Sequence, residues 1–316
     1  MAKWLLLTIG ATMLLLQLYV LPFGMLTQYI IFGIGIVLLG IPHGSADMLI
    51  AHHNAVLEHK AFSIVQFLVQ YLTRVAIFAI LFYISLPLGL ALFILCAAYH
   101  FGETDLSTCN TKTPLGIALI MCYGLLILNV LLLQHITDVR EILTPIMNDG
   151  IQDAIQFVID YKHTILSVTA LLFFMCTFAY CVKYKYTHGI TSMFFVQLAC
   201  LLLVIYYLPL IMGFTFYFVV WHSYISLQSI FKYLHKSSTN SYKLILKNIT
   251  VYSAIALTGI IIIAYISSYL TSYNDLVLYT LLGLGVLTAP HMHIMQDMYM
   301  HMRSSMHGSH VQLASK

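Results

Sequence analysis

Long apolar runs, separated by short polar stretches, recur along the whole chain. Hydrophobic residues make up 61% of the sequence and charged residues only 8%, whereas a soluble domain carries about 25% charged residues. So few charges cannot cover a water-exposed surface, but roughly 20 apolar residues in one helix cross a hydrocarbon core of about 30 Å. The pattern therefore predicts an all-α fold, a polytopic transmembrane helix bundle.

The apolar runs give about ten candidate membrane spans, with edges defined to within a few residues. The third and fourth are separated only by the sequence SLPLG, so one long element there, and fewer than ten helices, is the alternative. No polar stretch is long enough for a soluble catalytic domain, and we expect residues 1–316 to form a single integral membrane catalytic domain. The spans are residues 4–23, 25–48, 61–84, 86–103, 114–134, 164–182, 190–209, 211–234, 245–269 and 276–300.

The basic residues are distributed unequally between the two sides of the membrane. With the N-terminus inside, the outer side receives only Arg140 and Lys162, both in a long loop at about 135–163 that we expect to be a short surface helix or loop. Because basic residues concentrate on the cytoplasmic side, this asymmetry predicts an inside N-terminus and a multi-pass protein of the inner (cytoplasmic) membrane. The inner side receives Lys3, Lys60, Lys112, Lys183, Lys185, Lys232, Lys236, Lys243, Lys247, Arg303 and Lys316.

The basic residues are also scattered between apolar runs rather than clustered. The formal net charge of +3 therefore gives no indication of nucleic-acid binding. We expect the lipid bilayer to be the main surrounding of this chain.

Five of the 15 histidines lie within predicted spans: four on four different spans, and His293 two residues after the last of these; the others lie at loop edges, at the membrane interface or in the polar tail. The four are His43 in GIPHGSAD, His100 in AAYHFGETD, His222 in FVVWHSY and His291 in TAPHMHIMQD. All four spans run from outside to inside, and each histidine follows the outer end of its span by roughly 12 to 18 residues, or about 18 to 27 Å of helix. Four imidazoles at one depth on four helices can converge in the core of the bundle.

Imidazole is the commonest protein ligand for metals and suits iron, zinc, copper and nickel. Ionisable groups inside a membrane are costly and usually functional, which favours a metal site over four separate packing histidines. Two carboxylates accompany the histidines: Asp47 follows His43 by one helical turn, and Asp105 follows His100 by five residues. A carboxylate that holds the second ring nitrogen orients a histidine ligand, so we assign Asp47 and Asp105 as supporting residues of the site.

Several other histidine sites are excluded by what the sequence lacks. It contains no H-x-x-x-H or H-x-x-H-H cluster of the kind that builds membrane di-iron desaturases, and no histidine pair spaced for bis-imidazole haem. No lysine lies in the middle of a span, which excludes a retinal Schiff base like that of a rhodopsin. One histidine from each of four helices, with no cysteine, indicates a mononuclear centre with open positions, the kind that handles O₂.

Two other classes of function remain open at this point. A membrane transporter or channel could use the four histidines as a metal or proton site, but it predicts inverted-repeat symmetry. The two Pro-His steps, at 42–43 and 290–291, both lie on outside-to-inside helices, so they form no inverted repeat. A haem-binding electron carrier would be recognised by its visible spectrum.

The histidine motifs resemble those of a known family. G-x-P-H-G-x-x-D, H-F-G-x-x-D, W-H-S and A-P-H-M occur in this order over most of the chain, which is similar to the Brp/Blh family of membrane β-carotene 15,15′-dioxygenases. This resemblance implies an Fe(II) site held by histidines, O₂ as co-substrate and cleavage of the central double bond of β-carotene to two molecules of retinal. The family occurs in rhodopsin-bearing bacteria and archaea, which implies that the retinal passes to a rhodopsin.

The resemblance also assigns site residues. His43 and His100 match the two most specific motifs, and His222 and His291 match the later ones. All four are expected to be catalytic iron ligands, with His293 as the alternative to His291. Some family members carry a further histidine where this chain has Ser226, so a ligand at that place would be missing here.

Overall fold

The computed structural model describes residues 2–184, 190–236, 241–267 and 275–314, and these residues form helices and connecting turns without a strand. Eight of the helices found in these ranges are long and apolar enough to cross a membrane. A shorter apolar helix, Ser192–Tyr207, occupies the seventh predicted span, and the helix Asp275–Ala314 occupies the tenth. The prediction of a polytopic helix bundle is confirmed.

The helices follow the predicted spans closely, and the third and fourth spans are separate helices. The end of the ninth span, and the inner-side Lys185 and Lys316, lie outside the described residues. In chain order the helices are α1 (Ala2–Val20), α2 (Met25–Leu57), α3 (Ile64–Ile84), α4 (Leu86–Asp105), α5 (Pro114–Gln134), α6 (Ile136–Leu143), α7 (Asp149–Lys183), α8 (Ser192–Tyr207), α9 (Leu210–His235), α10 (Tyr242–Ser267) and α11 (Asp275–Ala314).

Helix α7 begins well before the sixth predicted span, inside the stretch expected to be a surface loop or short helix. The Asn148 side chain accepts a hydrogen bond from the backbone N–H of Ile151, which caps the first turn. Ile151 and Ile155 lie one turn apart and are buried, so the helix packs before its continuous apolar run starts. The short surface helix is also present, as α6.

Three stretches of the described residues are π-helical, and two of them lie next to or contain predicted site residues. Ile36–Gly40 ends just before Pro42, and Thr215–Ser223 contains His222. In a regular α-helix, a proline ring clashes with the carbonyl of the residue four positions earlier. The wider π turn just before Pro42 moves that carbonyl away from the proline ring. π segments often occur at functional sites. The two stretches pack together through Gly35, where a Cβ would come within 2.8 Å of the Val219 side chain.

Helix α4 is held against α5 by two glycines. A Cβ on Gly124 would collide with the carbonyl oxygen of Ala98, and a Cβ on Gly102 would collide with that of Ile120. The close backbone contact lies directly on both sides of His100 along α4. Glycine at these positions therefore fixes the depth and rotation of His100 in the bundle.

Candidate metal centre

His43 and His291 meet in the bundle core although 248 residues separate them in the chain. Their Nε2 atoms are 2.8 Å apart, and the rings lie edge to face with centroids 4.4 Å apart. His43 lies on α2, after the π turn and Pro42, and His291 directly follows Pro290 within α11. Both side chains are buried.

His100 and His222 form the second close pair. Their Nε2 atoms are 3.1 Å apart, and both residues are almost fully buried. The two pairs form one cluster, because the ring of His100 lies 4.9 Å from that of His291 and the ring of His43 lies 5.2 Å from that of His222. The ligand atoms of His43, His100 and His291 all lie within 4.8 Å of one another.

The spacing and orientation of the nitrogens fit a metal ion. Two nitrogens bound at right angles to one ion, each about 2.1 Å away, lie about 3.0 Å apart, and the observed pairs are 2.8 and 3.1 Å apart. The Nδ1 atoms of His43, His100 and His222 are buried without a hydrogen-bond partner. In these three rings, Nε2 is therefore the nitrogen that meets another polar group, and it faces the shared centre.

Asp47 holds His291 rather than His43. Its Oδ1 lies 2.7 Å from Nδ1 of His291, and Tyr71 donates a hydrogen bond of 3.2 Å to its Oδ2. The one-turn spacing suggested a contact between Asp47 and His43, but helix α2 breaks at Ala46 (φ −73°, ψ −9°) between the two residues. The break turns the carboxylate towards α11, where it fixes the ring orientation of His291.

Asp105 contacts none of the four histidines directly. Trp221 donates its indole N–H to the carboxylate at 3.0 and 3.1 Å, Tyr123 donates its hydroxyl at 3.0 Å, and Lys3 lies 3.5 Å away. Five residues advance a helix by about 500°, so Asp105 points well away from His100. It reaches the site indirectly, because Trp221 directly precedes His222.

His293, the alternative ligand, lies outside the histidine cluster. The side chain of His293 is 46% exposed and lies 3.8 Å from Asp297, outside the group formed by His291 and its partners. His52 is exposed, as expected for an interfacial residue, whereas His53 is buried against the ring of Tyr233 at 4.9 Å. His53 is therefore a packing residue rather than a solvated one.

Aromatic rings enclose the His222 side of the cluster. Phe101 lies 4.6 Å from the His222 ring, and Phe218 stacks on it at 6.0 Å. Phe218 lies one turn before His222 within the π segment, and Phe101 directly follows His100. These rings give the centre an apolar wall. The sequence contains the rings but does not reveal which of its 18 phenylalanines face the histidines.

Sequence reasoning missed a buried ion pair near the cluster. Arg303 donates from Nη2 to Oε1 of Glu103 at 2.6 Å, and also to the carbonyl of Ser107 and the hydroxyl of Thr111. The pair joins α4 and α11, the helices that carry His100 and His291, at positions that follow both histidines in the chain. Because Arg303 lies in a polar tail in the sequence, only the tertiary structure reveals the pairing.

In a comparison with known families, residues 34–299 match the family described as Beta-carotene 15,15′-dioxygenase. Comparisons with curated proteins and with solved structures give no match. The matched range contains all four clustered histidines together with Asp47 and Asp105. Because the match covers most of the chain, this protein belongs to the β-carotene 15,15′-dioxygenase family and is a carotenoid-cleaving enzyme.

Proposed function

We propose that the protein cleaves the central 15,15′ double bond of β-carotene with O₂, at a non-haem Fe(II) ion held by His43, His100, His222 and His291, and releases two molecules of retinal. The observation that carries this proposal is the convergence of four buried Nε2 atoms, in pairs 2.8 and 3.1 Å apart, from four different helices. A set of neutral nitrogen ligands with no thiolate suits a non-haem iron site.

The residues fit iron in a further respect. An ion with four histidine ligands keeps open coordination positions for a small molecule, and the iron would supply the binding and activation of O₂. One oxygen atom is added to each carbon of the cleaved double bond, so the two aldehydes account for both atoms of O₂ and no proton is consumed. The site accordingly needs no general acid or base.

The protein side of the mechanism is positioning. Asp47 holds Nδ1 of His291, which fixes that ring with its Nε2 towards the centre. Phe101 and Phe218 offer flat apolar faces beside His222, against which a conjugated polyene can lie. Holding the double bond beside the reacting centre and excluding water are the contributions that the fold makes to the rate.

The substrate and product set the surroundings of the enzyme. β-Carotene has no polar group and is dissolved in the bilayer, so we infer that it enters the bundle sideways from the lipid. The inner (cytoplasmic) membrane is the proposed location, because the distribution of basic residues gives the chain a consistent orientation. Retinal is equally apolar apart from its aldehyde, and a rhodopsin in the same membrane is the proposed recipient.

The test is expression in cells that accumulate β-carotene. We expect the colour of the cells to fade and retinal to appear, and His100→Ala to abolish both bound iron and turnover. His293→Ala is the matched control, because this histidine lies outside the cluster, and it should retain colour loss and iron. Unchanged colour with folded, iron-loaded protein would refute the proposal, and activity retained by His100→Ala would remove that residue from the iron.

A further inference from the structure

Helix α1 lies outside the range that matches the family, which begins at residue 34, yet it packs directly on the π-helical segment that carries His222. Gly10 of α1 lies so close to Phe216 that a Cβ at this position would collide with the Phe216 ring. Leu7, on the same helix, is buried. Helix α1 therefore belongs to the packed bundle, and its contacts indicate what it contributes to the site.

A second contact between α1 and the π segment lies at Lys3. Nζ of Lys3 lies 3.5 Å from Oδ1 of Asp105 and 5.7 Å from the ring centre of Trp221, a distance at which a cation is attracted to an aromatic face. Asp105 in turn accepts the indole N–H of Trp221 at 3.0 and 3.1 Å. Each of these three groups lies next to the other two, and we call the three residues the Lys3 cluster.

The π geometry allows one side of the segment Thr215–Ser223 to meet α1 twice. Residues five apart are hydrogen-bonded neighbours in a π-helix, so Phe216 and Trp221 lie on the same side of the segment. In a regular α-helix, five residues turn the chain by about 500°, which would point the two rings in different directions. Gly10 and Lys3, about two turns apart on α1, contact these two rings.

The charges of the Lys3 cluster favour a fixed arrangement. The side chain of Asp105 is 2% exposed and that of Lys3 is 31% exposed, so the carboxylate is buried and the ammonium lies at the edge of the bundle. Removing one partner of a buried ion pair leaves an uncompensated charge, which is strongly unfavourable. Lys3 therefore stabilises the carboxylate at the place where it accepts the indole N–H of Trp221.

We propose that α1 is a positioning element of the metal centre: Lys3 holds Asp105 and Trp221 in place, and the fixed indole sets the orientation of His222, the next residue in the chain. The contacts of Lys3 concern the fold alone, whereas their effect on the metal rests on the proposed function. Lys3 acts through its two partners and is a positioning residue, not a ligand. Because Nε2 of His222 lies 3.1 Å from that of His100, a rotation of the His222 ring would change the spacing of two ligands.

The contact is tested without metal by the fluorescence of Trp221. The sequence contains two tryptophans, so Trp4→Phe leaves Trp221 as the single emitter in the full chain. In this background Lys3→Met, which keeps a long unbranched side chain but removes the charge, should shift the emission maximum by several nanometres. Lys3→Arg keeps the charge and should retain the original emission. An emission maximum that Lys3→Met leaves unchanged would overturn the proposal.

Two further variants and their controls separate this contact from general effects of mutation. Lys60→Met is the matched control for charge, because Lys60 is 71% exposed and pairs with Glu58; a shift as large as that of Lys3→Met would overturn the proposal. Gly10→Ala disturbs α1 independently, since the added methyl group would meet the Phe216 ring, and it should also shift the emission. Gly33→Ala, where a Cβ meets nothing within 4 Å, should not, and equal emission of the two glycine variants would contradict the packing of α1 on the π segment.

The link to His222 is tested by the ligand-field spectrum of the cobalt(II)-substituted protein. At equal cobalt content, Lys3→Met should shift the bands, and Lys3→Arg and Lys60→Met should retain them. Because Lys3 acts through Asp105, the double variant Lys3→Met/Asp105→Asn should match Asp105→Asn alone. Unchanged bands in Lys3→Met, or additive shifts in the double variant, would overturn the positioning role. Failure of the wild type to bind cobalt or iron would instead contradict the proposed function, and the fluorescence would still decide whether α1 holds Trp221.

Discussion

At the residue scale, the four histidines were predictable, but the contacts that orient them were not. Depth in the membrane follows from position along a span, so the sequence places His43, His100, His222 and His291 at one level. Which carboxylate holds which ring depends on helix rotation and on local breaks. The break at Ala46 orients the Asp47 carboxylate towards His291, which is 244 residues away in the chain. The spacing of residues in the sequence does not predict this contact.

Asp47→Asn should weaken metal binding about 10- to 100-fold, the usual cost of removing the partner that orients a histidine ligand. Asparagine can still accept a hydrogen bond from His291, but it carries no charge. The measurement is a metal titration of the purified protein. Asp297→Asn is the matched control, since Asp297 pairs with the exposed His293; a loss of the same size in both variants would contradict the role of Asp47.

Asp105→Asn should shift His222 without removing a ligand, because Asp105 accepts the indole N–H of Trp221 and the hydroxyl of Tyr123. We expect metal to remain bound while the ligand-field spectrum of the cobalt(II)-substituted protein changes. Tyr71→Phe, which removes a bond to Asp47 on the other side of the site, serves as a comparison. An unchanged spectrum for Asp105→Asn would show that the Trp221 contact does not position His222.

At the element scale, the spans were predictable because a hydrocarbon layer imposes the length of an apolar helix. The π segments were not, since their sequences are as apolar as those of the α-helices around them. The early start of α7 was missed for a related reason. Its first turns pack through isoleucines within a polar stretch, which hydropathy alone does not detect.

Gly124→Ala should separate α4 from α5, because the added methyl group would meet the carbonyl of Ala98. Overpacking of this kind costs about 1 to 3 kcal/mol and would displace His100, so we expect both a lower melting temperature and less bound metal. Gly259→Ala on α10 is the control, since a Cβ there meets nothing within 4 Å. Equal melting temperatures for the two variants would contradict the close packing of α4 on α5.

At the scale of the whole molecule, the bundle brings together residues from the two ends of the chain. His43 and His291 belong to helices that no local signal connects, and the sequence evidence that they meet was the shared depth of the four histidines and the resemblance of their motifs to those of the dioxygenase family. The orientation of the bundle in the membrane remains a prediction from the basic residues. It is testable because α6 and the first turns of α7 are predicted to lie on the opposite side of the membrane from the short loop that follows α4.

Cysteine accessibility tests the orientation in intact cells. In a variant that lacks the six native cysteines, Asp153→Cys should react with a membrane-impermeant thiol reagent from outside, and Lys112→Cys should react only after the cells are opened. The reverse pattern would place the N-terminus outside. Equal labelling of both positions before lysis would contradict a single orientation.

Metal binding should stabilise the whole bundle, because the four proposed ligands come from α2, α4, α9 and α11. At a free metal concentration 100 times the dissociation constant, the gain is about 2.7 kcal/mol, visible as a higher melting temperature of the purified protein. His222→Ala should lose most of this gain, and His52→Ala, an exposed histidine, should keep it. A metal-dependent shift that survives in His222→Ala would place the binding site elsewhere.

Iron-dependent cleavage at the central double bond is tested most directly by the product stoichiometry of the purified, iron-loaded protein with β-carotene under O₂. We expect one iron per chain and two molecules of retinal for each β-carotene consumed, with no turnover after the iron is removed. Aldehydes of unequal length, or undiminished retinal formation by iron-free protein, would contradict it.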